Sequence, residues 1–241
     1  MLLPAPDSHT FTRDPNIVLR EVHPDYGRNP LVHFAHKIIR GEPFIPGSYD
    51  NVSIVARKQM NLYNLRSPHM NITLSEESRQ MINTIYRDRI MHRRDSINVA
   101  GERIVVINSI YNERLVNEKN KRIKVYLHGP MVGTISKINR HAASTRYVPM
   151  EFKPECYDEP FIELAIDRHY LNKIQSASRQ QIPDRLVQAE YAYALTPMQA
   201  RLSYWDKITM LMEPDVYDPD IQARMMYTGI TRAKQFATIV V

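Results

Sequence analysis

From Asp95 to Ile182 the sequence has almost no helical period. Short apolar strands replace it: Glu102–Ile107 (ERIVVI), Arg122–Leu127 (RIKVYL), Met131–Ile138 (MVGTISKI) and Phe161–Ile166 (FIELAI), with turn residues such as His128-Gly129-Pro130 between them. Such a block has no helices to cover its strands, so it must close on itself as a small barrel or sandwich. The flanks read differently. Asn29 followed by Pro30 marks a helix start, with Leu31, Phe34, Ala35, Ile38 and Ile39 at helical spacing and Gly41 as the stop. Glu42–Asn51 (EPFIPGSYDN) reads as a loop, and Asn71–Leu74 as a short strand. Ser75 caps a second helix, with Glu76 and Glu77 in its first turn and Met81, Ile82, Ile85 and Ile90 on its inner face. Further on, Lys207–Met212 and Gln235–Val241 are apolar strands. Between them Asp218-Pro219 opens a helix, whose face carries Ile221, Met225 and Met226 and which Gly229 interrupts. The pattern predicts an α/β lobe in residues 1–95 and 183–241, split by an inserted small β-barrel in 96–182.

Charge and cysteine content narrow the setting. The chain has 241 residues, a net charge of +6 and a single cysteine, Cys156. A basic balance favours an anionic partner, nucleic acid first. One cysteine allows no disulfide within the chain and no cysteine-based metal site. His33 and His36 lie one helical turn apart without a nearby acid, which is a weak metal signal. The segment MLLPAPDSHTF has neither the basic start nor the apolar run of a signal peptide, and no stretch is long enough for a membrane span. The expectation is a cytoplasmic, reducing setting with no membrane partner.

One stretch keeps a frame whose centre is altered. In Ala189–Ile208 (AEYAYALTPMQARLSYWDKI), Tyr191, Tyr193 and Leu195 alternate with Ala192 and Ala194 as a half-buried strand would, and Thr196-Pro197 end the run. Met225–Val241 (MMYTGITRAKQFATIVV) resembles motif VI of superfamily 1 helicases, and the Thr196–Asp206 stretch resembles motif V, matching at Thr196, Ser203, Trp205 and Asp206. Ile17–Glu42 is similar to the segment after motif III in the RecD-like and Dda-like branch, and Leu3-Pro4 resembles the tail of that motif. Ser75–Arg89 resembles the helix that carries T-R-x-x-x-N in the family. Gly101–Asn117 and Gly129–Ile138 look like the family's inserted β-barrel.

The resemblance implies an α/β fold: a RecA-like parallel-sheet lobe, the second motor lobe of an ATP-dependent DNA helicase, interrupted by a small β-barrel insertion. It assigns Arg232 a catalytic role, Arg232 and Thr231 to the nucleotide, and Thr196, Ser78, Arg79 and Arg87 to nucleic acid. Arg79 and Arg87, with Arg89, Arg93, Arg94, Tyr86 and His92, read as a basic patch or as a solvated helix end. Trp205, which could stack on a base, is more often core after such a strand. Asp215, Asp218 and Asp220 fit turn and capping roles better than a metal cluster.

No G-x-x-x-x-G-K-[ST] phosphate loop occurs in the sequence, and no acidic Walker B strand stands before Leu3. ATP and Mg²⁺ therefore require a first RecA-like lobe, supplied by a partner. Pro24 and Asp25 stand where the family has Arg and Gln, and Pro197, Met198, Gln199, Arg201 and Leu202 replace the polar centre of motif V. The partners implied are single-stranded DNA or RNA and, where the lobes are separate, a chain carrying the first lobe. The alternative is a non-catalytic nucleic-acid-binding or assembly module on a helicase-derived fold.

Overall fold

The computed structural model describes residues 29–66, 69–93, 100–116, 122–127, 129–139, 147–156, 161–167, 171, 186–213 and 216–241. The expectations for Leu3-Pro4, Pro24, Asp25, Arg94 and Asp215 lie outside them. The described residues fall into two compact units, one within Met1–Met81 and Leu195–Val241, the other within Ile82–Ala194. The second unit is thus wider than the expected 96–182.

The first unit is a mixed α/β body on a mainly parallel sheet. Strands β1 (Gly47–Tyr49), β2 (Val52–Val55), β3 (Met70–Thr73), β12 (Ala194–Leu195), β13 (Trp205–Leu211) and β14 (Ala233–Val240) lie in the order β1-β2-β14-β13-β3-β12. Strands β2, β14, β13 and β3 run parallel, and β1 joins antiparallel. Register places Ile54, Ile239, Met210 and Ile72 side by side, one row of buried residues across four strands. Such a row is what a parallel sheet covered by helices requires.

Helices α1 (Pro30–Ile39) and α5 (Pro219–Ile230) pack on each other and against this sheet. Asn29 caps α1, its side-chain oxygen accepting from the Leu31 amide at 2.9 Å, and Gly41 ends it at φ +72°. Leu31, Ala35 and Ile38 are buried, while Ile39 is 48% exposed, so the expected apolar face is one residue too wide. Asp218 caps α5 by accepting from the Asp220 amide at 3.0 Å. Gly229 does not interrupt that helix. A Cβ there would stand 3.2 Å from Ile72 and Met210, so the glycine lets the helix approach the buried row closely.

Two expectations change here. Glu42–Asn51 is not all loop: Gly47–Tyr49 and Val52–Val55 form a hairpin, with Asp50 at φ +47° in its tight turn. Tyr191–Leu195 is not one strand of the α/β sheet. Ala189–Tyr191 (β11) pairs antiparallel with β4 (Arg103–Val106) in the second unit, and only Ala194–Leu195 reaches the first sheet. The side chain of Asn83 explains the break. It accepts from the Tyr193 and Ala194 amides at 2.8 and 2.9 Å and donates to the Ala194 carbonyl at 3.1 Å, in place of a neighbouring strand.

The second unit is a curled, mainly antiparallel half-barrel. It contains β4, β7 (Met131–Ile138), β8 (Tyr147–Pro154), β9 (Phe161–Asp167), β10 (Leu186–Val187) and β11, in the order β10-β9-β8-β7-β4-β11. Strands β5 (Ile110–Val116) and β6 (Arg122–Leu127) form a separate two-stranded ribbon. Register shifts at Ile135/Lys137 and Met150/Phe152 bend the sheet around a core that includes Ile104, Ile135, Met150, Phe152 and Ile166. Gly133 lies against β8, where a Cβ would fall 2.4 Å from the Lys153 carbonyl oxygen. Helix α3 (Glu76–Ile85) begins in the first unit. It continues beyond the unit boundary into a π-helical turn, Tyr86–Ile90.

Candidate functional site

Arg232 follows α5 at the start of β14, and it is 9% exposed. Its guanidinium is engaged on every side. Nε donates to the Thr228 carbonyl at 3.1 Å, Nη1 to the Arg201 carbonyl at 2.7 Å, and Nη2 to the Thr231 hydroxyl at 3.1 Å. Its Cζ lies 4.4 Å from the centre of the Tyr204 ring, a cation–π contact. The Thr231 hydroxyl donates in turn to the Thr228 carbonyl at 3.1 Å. The cation therefore caps the end of α5 and ties it to the Arg201 turn.

Arg232 and Thr231 do come together as the sequence pattern implies, but both are turned inward. Among the described residues no cluster of three His, Cys, Asp or Glu stands that could hold a metal ion. The Arg232 guanidinium and the Thr231 hydroxyl are engaged within the protein.

Thr196 is the N-cap of the short helix α4 (Pro197–Ala200). Its hydroxyl accepts from the Gln199 amide at 3.4 Å, and the Gln199 side chain returns the bond to the Thr196 amide at 3.2 Å. The altered motif V centre is thus a self-contained capping box. It leaves Leu202 and Tyr204 exposed, 54% and 53%, and buries Trp205 to 5%.

Ser78 and Arg79 begin α3, and each has a carboxylate. Glu213 accepts from the amides of Leu74 and Ser75, both at 2.8 Å, and from the hydroxyls of Ser75 and Ser78. Burial raises the cost of its charge, but the hydroxyl bonds from Ser75 and Ser78 and the two amide bonds outweigh that cost. They hold the carboxyl below its ordinary range. Arg79, 1% exposed, is clasped by Glu76 through Nε at 2.6 Å and through Nη2. The sequence reading missed Glu213, which lies far from Ser75 along the chain. A lone acid at the end of a strand gave no signal.

Arg87 belongs to the second unit. Its Nε and Nη2 both lie 3.2 Å from one oxygen of Glu102, which is fully buried, and its guanidinium sits 3.9 Å from the Tyr191 ring centre. Tyr193 donates its hydroxyl to the other Glu102 oxygen at 2.7 Å, and Arg93 approaches at 3.7 Å. The Tyr86 ring stacks on that of Tyr193, 4.4 Å between centres and 8° between planes. Of the residues read as a basic patch or as a solvated helix end, Tyr86, Arg87 and Arg93 build an internal cluster, while Arg89 and His92 are exposed. Burial, foremost, pushes the Tyr191 phenol up to about 12 and Tyr193 higher still, where the bond to Glu102 adds to the effect.

No family model and no curated protein matches this chain. Among solved structures, it is similar to Bacteroides Pif1 bound to single-stranded DNA, with a TM-score of 0.43, 12% identity, and coverage of 92% of this chain and 50% of that one. Unliganded Pif1 from Bacteroides sp gives 0.42, 11%, 92% and 50%. Pif1 helicase from Candida albicans gives 0.37, 10%, 71% and 44%. The chain spans about half the length of the solved structures it matches. Among the described residues, no helix is long and apolar enough to cross a membrane.

Proposed function

We propose that this chain is the second motor lobe of a helicase of the RecD-like and Dda-like group, acting on single-stranded nucleic acid. The observation that carries the reading is the α5–β14 joint. The YTGITRAK pattern falls on a helix that ends just before Arg232 and feeds the central strand of a parallel sheet interrupted by a half-barrel. ATP and Mg²⁺ enter only where a first lobe with a phosphate loop meets this one. Contacts of nucleic acid with Thr196, Ser78, Arg79 or Arg87 would each have to displace a partner already in place.

One observation favours the second reading, a nucleic-acid-binding or assembly module without turnover. The three guanidinium nitrogens of Arg232 all have acceptors within the protein, so this guanidinium does not face outward to meet a phosphate. An ATPase assay on the purified chain, with and without single-stranded DNA, tests both. No turnover is expected from the chain alone. Turnover appearing when a first lobe is added, and lost in Arg232→Ala, supports the motor. Turnover by the chain alone that vanishes in Arg232→Ala overturns the need for a first lobe. No turnover in any mixture, with DNA binding intact, leaves the module.

A further inference from the structure

From Asn51 to Ser75 the sequence contains no acidic residue, while Arg57, Lys58 and Arg66 are basic. The described part of this stretch crosses from the end of β2 to the start of β3. It forms one 3₁₀ turn (Arg57–Gln59) and the short helix α2 (Leu62–Arg66). Arg57 anchors its beginning: the amide donates to the Val241 carbonyl at 2.6 Å, and the guanidinium to the Met212 carbonyl at 2.7 Å. Asn61 and Asn64 cap α2 reciprocally, each side chain accepting the other's amide, at 2.9 and 3.1 Å. At the far end Leu65 is buried, and its carbonyl accepts from the Asn71 side chain at 3.0 Å.

The backbone is thus pinned at three points, and two large apolar side chains and two cations stand among its exposed residues. Tyr63 is 74% exposed and Leu62 42%, with Lys58 and Arg66 also exposed. Tyr63 and Arg66 stand three residues apart, on one face of the helix. An aromatic ring held in water on a rigid turn costs apolar exposure and contributes nothing to the core. Accompanied by cations in a stretch of sequence without acids, it matches the platform that single-stranded nucleic acid uses: bases stack on the ring and phosphates meet the cations.

We propose that Lys58, Tyr63 and Arg66 form a binding surface for single-stranded nucleic acid, Tyr63 stacking on a base while Lys58 and Arg66 meet the flanking phosphates. The inference rests on the proposed action on single-stranded nucleic acid. The surface needs no internal bond to break, unlike Ser78, Arg79, Arg87 and Thr196.

Fluorescence anisotropy of the whole chain with fluorescein-labelled oligo(dT) and oligo(U), at two salt concentrations, tests it. Stacking is worth roughly 1–3 kcal/mol per base, so Tyr63→Ala should weaken binding by about 10-fold or more, and Tyr63→Phe should restore it. The double variant Lys58→Ala, Arg66→Ala should reduce the salt slope by about 1.4. Equal losses on both oligomers point to the strand itself; a loss on one alone names the nucleotide type the surface prefers. If the wild type binds but these variants match it, this surface is wrong and the functional reading stands. If the wild type binds neither oligomer, both fail. Phosphatidylserine vesicles are the contrast. Binding to them that depends on the cations and not on Tyr63, with no binding to either oligomer, would make this a lipid-facing patch and overturn the proposal.

Discussion

Glu213 in the parallel-sheet unit and Glu102 in the half-barrel unit are both buried acids, 9% and 0% exposed, but their surroundings differ in kind. Glu213 is held by neutral donors, two amides and two hydroxyls. Glu102 is held by charge, with Arg87 and Arg93 on one side and the Tyr193 hydroxyl on the other. The first arrangement uses groups that the start of a helix presents anyway. The second brings two cations to one anion and leaves a positive excess inside the fold. Neutral donors make an anion's stability a matter of its own protonation. Paired charges make it a matter of keeping both partners.

The largest expected effect comes from breaking the charged case. Glu102→Ala leaves two guanidiniums beside a void and should cost about 3–5 kcal/mol in urea unfolding of the whole chain. A cost below about 1 kcal/mol would show that the arginines simply turn to water, and the contrast would collapse.

Glu213→Ala strands four donors at the start of α3 and should cost about 2–3 kcal/mol by the same measurement. Here the pH dependence sharpens the comparison. The folded carboxyl titrates below its ordinary value, so its contribution is present above that value. It is lost as pH falls through the lower, folded one. Wild type should therefore lose stability below about pH 4, and Glu213→Ala should lack that component.

Comparable and smaller effects come from two of the close approaches of glycine. Gly133→Ala drives a Cβ into the backbone of β8 and should cost about 2–3 kcal/mol. Gly229→Ala meets side chains of Ile72 and Met210 that can yield, and helix propensity returns part of the loss. A cost of about 1 kcal/mol is expected, read as a modest drop in the thermal midpoint.

The smallest effect concerns the phenols that face Glu102. Their raised values mean that stability is complete below the ordinary tyrosine pKa near 10 and declines as pH rises towards about 12. In a phenolate absorbance titration Tyr191 and Tyr193 should ionise after exposed tyrosines. A Tyr193→Phe variant should lose one late step and about 1 kcal/mol. Early ionisation of all phenols would mean that the cluster is open to water.

Elements whose signal is local were legible from sequence. Asn29-Pro30, Ser75 and Asp218-Pro219 start helices where their caps say they should, and the strands ending at Leu211 and Val240 follow their apolar runs. Other elements needed partners the sequence does not display. Val52–Val55 is a strand because β14 accepts it, and Tyr147–Pro154 is a strand despite Pro149 and Pro154, with Val148, Met150 and Phe152 facing the core. The candidate residues show the same limit. Thr231 and Arg232 were found by pattern, but the pattern could not say that the Thr228 and Arg201 carbonyls hold the guanidinium. Glu76 stands beside Arg79 in sequence, so that pair was readable, whereas Glu213 and Glu102 are acids that only folding brings to Ser78 and Arg87.

Strand β14 lies between β2 and β13, in the middle of its sheet, although it is made after the other described strands. During synthesis β2, β3 and β13 emerge before the strand that joins β2 to β13. The sheet cannot close until Val240 has left the ribosome. The half-barrel unit is complete by Ala194 and has no such delay. Its strands pair mostly with near neighbours in sequence, which favours early folding. For the parallel sheet, β13 must present an unpaired edge in the interval, with Ile208, Met210 and Leu211 uncovered. That interval is when a nascent chain of this design most needs a chaperone, and when an arrest of translation short of β14 would expose the most apolar strand edge.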